Sequence, residues 1–380
     1  MKKIITFVLC FFSFLFVCKA EDIAINAKSA ILIEASTGKV IYEKNSDERL
    51  HPASMTKIMS LILIMEKIDS GKLKLDDIVT VSKEASSMGG SQVYINEGET
   101  YFVEELLKGV AIASANDAVV ALAEKASGSK EKFVDEMNKK AEELGLNNTH
   151  FMNPHGLDEE NHYSSAKDMS IMARELLNHE RILDYTSKYE DYFKKKDGSN
   201  IWLVNTNKLV RFYEGMDGLK TGYTKSAGYC LTATAEKNNL RFISVVMGEE
   251  SIENRTEDTL KLLNFGFNTI KKEVILENKN NIGELKLKLA EKDKVKVYLK
   301  NDVSKLTDIN EESFKYKYNI KYLKHIKYPI KSGNKVGRIT VTLDNNEKIY
   351  EDVIVKENID KISFTKLLKK NINVFSKGVN

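Results

Sequence analysis

His51-Pro-Ala-Ser-Met-Thr-Lys-Ile-Met-Ser-Leu-Ile-Leu-Ile-Met65 opens with a proline suited to a first helical turn, where its missing N–H costs nothing. From Ile58 to Met65 nearly every residue is apolar. A helix with no wet face runs through a core. At its front end stand Ser54 and Lys57, three apart and therefore on one face. Two readings of the pair stay open on this stretch alone. One is a helix cap with a lysine that snorkels to water. The other is a nucleophilic serine whose proton passes to a desolvated lysine.

Outward from this helix, the 380-residue chain is long enough for more than one domain. With 42% hydrophobic residues and three prolines it reads as globular. Residues 1–20 read as a secretory signal: Lys2 and Lys3 precede the apolar run Ile4 to Val17, and Ala20 supplies the small residue before a cleavage point. Removing it takes away Lys2, Lys3 and Lys19 and no acid, so the formal charge becomes 3 − 3 = 0. A neutral exported protein has no global field favouring nucleic acid. Cys10 and Cys18 leave with the signal, so Cys230 has no partner for an intramolecular disulfide and reads as a packed thiol. The six histidines show no metal-site spacing, so neither a metal nor a cofactor is expected.

Ala30–Glu34 and Lys39–Tyr42 flank Ser36-Thr-Gly38 and read as a hairpin. Val103–Ala113 and Asn116–Ala126 read as helices broken by Ser114-Ala-Asn116, and Lys130–Leu144 as a helix stopped at Gly145. Ser165 to Leu177 is helical, with Ser164 or Ser165 as its cap. Gly218–Gly222, Tyr229–Ala235 and Arg241–Gly248 are three successive strands. A helix is expected over Thr256–Phe267, capped by Thr256 with Glu257 and Asp258 in its first turn. The fold class is therefore α/β (α+β), a mixed sheet covered by helices over residues 24–267. Residues 268–355 alternate apolar and polar positions in Leu285–Leu289, Val295–Leu299, Phe314–Tyr318, Ile339–Leu343 and Tyr350–Val355, as a small β-sandwich does. In the final segment, 356–380, Phe364, Leu367, Leu368, Ile372 and Phe375 share a helical face opposite Lys366, Lys369, Lys370 and Lys377. That pattern suits a membrane-surface anchor.

A lone Ser-x-x-Lys is weak evidence here, because seven occur, from Ser36, Ser54, Ser127, Ser129, Ser164, Ser332 and Ser363. Only Ser54 opens an all-apolar helix. Ser114-Ala-Asn116 breaks two apolar helices, and Lys220-Thr-Gly222 lies along a strand whose glycine admits a close approach to the backbone. This ordered set resembles the penicillin-recognising serine enzymes, and within them the low-molecular-mass D-alanyl-D-alanine carboxypeptidases. The likeness runs through Ala53–Lys57, Ala115–Ala118, Thr149–Leu157, Tyr163–Ala166, Asp217–Gly222 and Ala227-Gly228.

The resemblance implies Ser54 as the acylated nucleophile, Lys57 as its base and Ser114 as a proton relay. Asn116 would hold the substrate amide, and the backbone N–H groups of Ser54 and Tyr223, beside Gly222, an oxyanion. Lys220, Thr221 and Arg255 would face a terminal carboxylate. His155 borders the cleft in the family. Its partners would be the D-Ala-D-Ala stem peptide of peptidoglycan and β-lactams as covalent inhibitors, at the outer face of the cytoplasmic membrane. Two alternatives remain. A class A-type β-lactamase needs a deacylating carboxylate, and Glu143-Leu-Gly-Leu-Asn147 satisfies that pattern. A non-catalytic cell-wall binding protein would keep the scaffold without the chemistry.

Overall fold

The helix at the centre of the sequence is α1 (Lys57–Asp69), entered through a single 3-10 turn, Ala53–Thr56. In the computed structural model, which describes residues 23–311 and 314–367, every residue from Lys57 to Met65 is buried. Seven of these are apolar, and each contributes about 1.5–3 kcal/mol on burial. That sum offsets the cost of desolvating one lysine at the same helix end. The expected signal segment and the tail from residue 368 lie outside the described residues, and with them most of the expected amphipathic helix.

The described residues fall into two compact units divided near Asn264. The first carries a five-stranded sheet of β1 (Ser29–Glu34), β2 (Val40–Lys44), β3 (Met216–Thr224), β4 (Gly228–Lys237) and β5 (Leu240–Glu249), in the spatial order β2-β1-β5-β4-β3. β1 pairs antiparallel with both β2 and β5, and β3 pairs antiparallel with β4. Helices α3 (Asn116–Ser127), α4 (Lys130–Glu143) and α5 (Ala166–Leu176) pack against α1, and α2 (Val103–Ala113) packs against α3. The cap expected from sequence for α5 is present, and α4 has one that was not expected. Ser129 Oγ accepts from Lys132 N–H, and Ser165 Oγ accepts from Asp168 N–H.

The last helix of this unit differs from expectation. α6 spans Ile252–Thr269, one turn longer at its start. Ser251 Oγ, not Thr256, accepts the free N–H of Asn254. Thr256 lies inside the helix and donates back to the Ile252 carbonyl at 2.7 Å. Asp258 is consequently a buried anchor, accepting the backbone N–H groups of Asn26 and Ala27.

The second unit contains β6 (Ile270–Leu276), β7 (Gly283–Lys286), β8 (Lys294–Leu299), β9 (Val303–Asp308), β10 (Tyr316–Tyr322), β11 (Lys335–Leu343) and β12 (Lys348–Ile354). Five of them form a sheet in the order β7-β8-β12-β11-β10, and β6 pairs with β9. The strands expected from Leu285 and Phe314 are shifted to Gly283–Lys286 and Tyr316–Tyr322. β6 and β9, whose alternation is broken by charged residues, are additional. This unit has its own core around Val297, Leu299, Ile339, Val341 and Val353.

Candidate active site

Lys57 begins α1 and is fully buried, yet its Nζ has three oxygen partners: Ser54 Oγ at 2.9 Å, Asn116 Oδ1 at 2.6 Å and the His155 carbonyl at 2.7 Å. Burial holds its pKa well below the ordinary lysine value. The charge of Lys220 adds to that effect, and Asp117 opposes it. An unprotonated amine has two N–H bonds and one lone pair. Asn116 and His155 present only acceptor oxygens, so they take the two N–H bonds and leave the lone pair for the Ser54 hydroxyl proton. The geometry makes Lys57 a base aimed at Ser54. Ala53, immediately before the serine, has φ of +47°, a left-handed turn that costs a non-glycine residue on the order of 1–2 kcal/mol.

Ser114 closes α2 in the left-handed region, with φ of +65°, and is almost fully buried. Two residues on, Asn116 starts α3 with both ends of its side chain engaged. Oδ1 faces Lys57, and Nδ2 donates to the Gly89 carbonyl at 2.7 Å. Asp117 pins the facing loop by accepting the N–H groups of Val93 and Ile95 as well as that of Ala118. Sequence reasoning missed Asp117, although an acid in the first turn between two apolar helices was a signal.

β3 brings the third motif alongside. A Cβ built on Gly222 would stand 2.7 Å from the Pro52 carbonyl and 3.1 Å from Ala53 Cβ. The close approach expected of this glycine is therefore made by the serine's own turn, which brings the Gly222–Tyr223 backbone next to Ser54. The Tyr223 ring is exposed and stacks on Tyr229 at 4.3 Å. Thr221 Oγ1 donates to Thr206 Oγ1 at 2.7 Å, and Lys220 Nζ donates to the Thr221 carbonyl. Lys220 is buried, and its pKa is lowered to about 7 by desolvation and then by the charge of Arg255. Arg255 is 8% exposed, with its Nε unpartnered. Neither cation has a carboxylate in salt-bridge reach among the described residues. The site is an anion trap beside a base.

A family model described as D-alanyl-D-alanine carboxypeptidase matches residues 17–251, more than half of the chain. The chain belongs to this family of serine peptidases. A second model, the C-terminal domain of penicillin-binding protein 5, matches residues 271–361. The D-alanyl-D-alanine carboxypeptidase DacF of Bacillus subtilis is 46% identical over 359 residues, covering 94% of this chain and 92% of its own. Penicillin-binding protein 5 of Haemophilus influenzae is similar in structure, with a TM-score of 0.69 at 31% identity over 88% of this chain and 98% of its own. The ampicillin-bound penicillin-binding protein D2 of Listeria monocytogenes reaches a TM-score of 0.58 at 33% identity, covering 64% of this chain and 98% of its own.

In this carboxypeptidase a strap from His150 to Tyr163 closes one side of the site. His155 reaches Lys57 through its main-chain carbonyl, while its ring Nδ1 accepts from Leu157 N–H at 3.2 Å. His155, expected to border the cleft, contributes its carbonyl to the wall that orients the base. Burial lowers its pKa to about 3, so the ring is neutral. Gly156 must be glycine: φ is +88°, and a Cβ would lie 1.9 Å from the Ala53 carbonyl oxygen. His162, also missed in the sequence, accepts from Met152 N–H on Nδ1. Its Nε2–H must therefore donate to Thr56 Oγ1, at 2.8 Å, and the ring ties the strap to the serine's turn. Glu143, the carboxylate of the β-lactamase alternative, is half exposed at the end of α4 and paired with Lys140. Cys230 is a buried free thiol on β4, raised to about 11 by burial.

Proposed function

We propose that the protein removes the terminal D-alanine from peptidoglycan pentapeptides through an acyl-enzyme on Ser54, and that β-lactams acylate the same oxygen. Lys57 takes the Ser54 proton as Oγ attacks the penultimate carbonyl carbon. The oxyanion forms against the N–H groups of Ser54 and Tyr223. As the amide C–N bond breaks, the proton held by Lys57 passes through Ser114 to the leaving D-alanine nitrogen, which leaves Lys57 neutral again. Water, deprotonated by Lys57, then cleaves the Ser54 ester and regenerates the enzyme. Asn116 holds both the base and the substrate amide.

One observation carries the substrate assignment. Lys220 and Arg255 are both buried, and among the described residues neither has a carboxylate in salt-bridge reach. Glu249 and Glu253 act on Arg255 only at longer range, and a bound carboxylate would remove much of the cost of this arrangement. A pentapeptide with a C-terminal amide should accordingly be cleaved at least about 100-fold less efficiently than the free acid. Equal kcat/KM for acid and amide would overturn the assignment. Mass spectrometry of the same digest separates hydrolysis from transfer to an acceptor amine.

The residue roles accompany a proposed division into a signal at 1–20, a catalytic domain at 24–267, a β-sandwich at 268–355 and a surface-binding tail at 356–380. With the signal removed, the enzyme would work at the outer face of the cytoplasmic membrane, held peripherally by the basic amphipathic tail, and would trim the wall polymer that sets cell shape. No helix among the described residues is long and apolar enough to cross a membrane. Deleting Ser363–Asn380 should release the protein from anionic vesicles without changing hydrolysis of a soluble peptide. Retention on the vesicles would disprove the anchor.

A further inference from the structure

Away from the serine, the far half of α1 meets the end of α5 through a group of side chains that the peptidase chemistry does not use. Glu66, Glu175 and His179 each offer one ligand atom, and these atoms all lie within 4.8 Å of one another. We propose that they form a divalent-cation site, suited to Zn²⁺, that staples the end of α5 to the helix carrying Lys57.

The histidine carries the argument. Its side chain is 11% exposed, and its Nδ1 stands 2.5 Å from Asp69 Oδ2. Asp69 accepts the hydrogen bond from Nδ1–H, and in that tautomer of the neutral imidazole Nε2 carries the free lone pair. A carboxylate behind an imidazole is the arrangement that orients and strengthens histidine as a metal ligand. Nε2 itself is buried and has no hydrogen-bond partner. A buried imidazole nitrogen left unpaired beside two carboxylates is costly unless something electron-poor completes it. Glu66 and Glu175 supply two negative charges against a dication.

Competing contacts are modest. Lys140 Nζ lies 2.6 Å from Glu66 Oε1 but also 3.2 Å from Glu143, where it can remain. Glu175 Oε2 accepts only the exposed Asn178 amide at 3.0 Å. Ligands at about 2.1 Å around a tetrahedral ion stand roughly 3.4 Å apart, so closure needs shifts of about 1 Å in long glutamate side chains. One imidazole and two carboxylates leave a fourth position for water, a donor set that fits Zn²⁺ better than Ca²⁺ or Mg²⁺. Histidine spacing cannot reveal such a site, because a single histidine contributes and Glu66 lies far away in sequence.

The test uses the untagged full chain, stripped with chelator, titrated with Zn²⁺ by calorimetry and with Co²⁺ by visible absorbance. The expected result is one equivalent of Zn²⁺ and a Co²⁺ spectrum of four-coordinate intensity. His179→Ala and Glu175→Gln should each weaken binding by at least about 100-fold, and Asp69→Asn by about 10–100-fold through the imidazole it orients. Undiminished labelling of Glu175→Gln by fluorescent penicillin confirms that this variant is folded. Substoichiometric binding, or binding that survives both ligand substitutions, would overturn the site.

Discussion

Replacing Glu249 by glutamine should change how stability depends on pH, by an amount the structure sets. Glu249 ends β5 at 1% exposure, with neither carboxylate oxygen partnered. It faces Asp258, whose oxygens are occupied by Asn26 and Ala27. Burial, and then the charge of Asp258, raise the Glu249 pKa from 4.5 to about 8. A raised carboxyl pKa contributes stability below the unfolded value and loses it as pH climbs through the folded one. Between pH 4.5 and 8 the folded state holds a proton that the unfolded chain has released, so stability falls by about 1.4 kcal/mol per unit. Over the whole window the loss approaches about 5 kcal/mol. Glu249→Gln keeps the shape and removes the titration. The variant should match the native protein near pH 5 and exceed it by about 3–5 kcal/mol near pH 8.5. Urea unfolding at a series of pH values, followed by the single tryptophan, Trp202 on the first unit, reads this directly. Parallel pH profiles for the two proteins would refute the reasoning.

Three further substitutions probe the site. Asp117 opposes the depression of the Lys57 pKa, so Asp117→Asn should move the acid limb of the penicillin acylation profile to lower pH; an upward move would contradict the electrostatic account. Gly222→Ala places a methyl 2.7 Å from the Pro52 carbonyl, and displacing the serine turn by even 1 Å should slow acylation about 100-fold, measured by stopped-flow with a chromogenic β-lactam. Because His155 acts through its carbonyl, His155→Ala should keep acylation within about tenfold while costing about 1–3 kcal/mol of stability from the unpaired Leu157 N–H; complete loss of acylation would restore a role for the ring.

Much of this architecture was legible because it is written in side-chain type. An uninterrupted apolar run marks a buried helix, and α1 follows it from Lys57 to Met65. Ser165 caps the helix that follows it, and the three strands after residue 215 fall where alternation places them. What stayed hidden depends on the backbone or on long-range packing. The His155 carbonyl carries no mark of its residue type, and any residue could have supplied it. The tight seat of Gly156 against Ala53 appears only once the strap is folded over the serine turn. Thr256 looked like the cap of the last helix; with Ser251 as the true cap, that helix starts one turn earlier and Arg255 lies inside it, under cover.

The central claim is that Ser54 is the acylated atom and Lys57 the base that readies it. Intact-mass spectrometry after brief exposure to a penicillin, followed by peptide mapping, tests it most directly. One adduct on Ser54 is predicted for the native chain, none for Ser54→Ala, and an adduct forming at least about 1000-fold more slowly for Lys57→Ala. An adduct on any other residue, or one that persists in Ser54→Ala, would contradict the account.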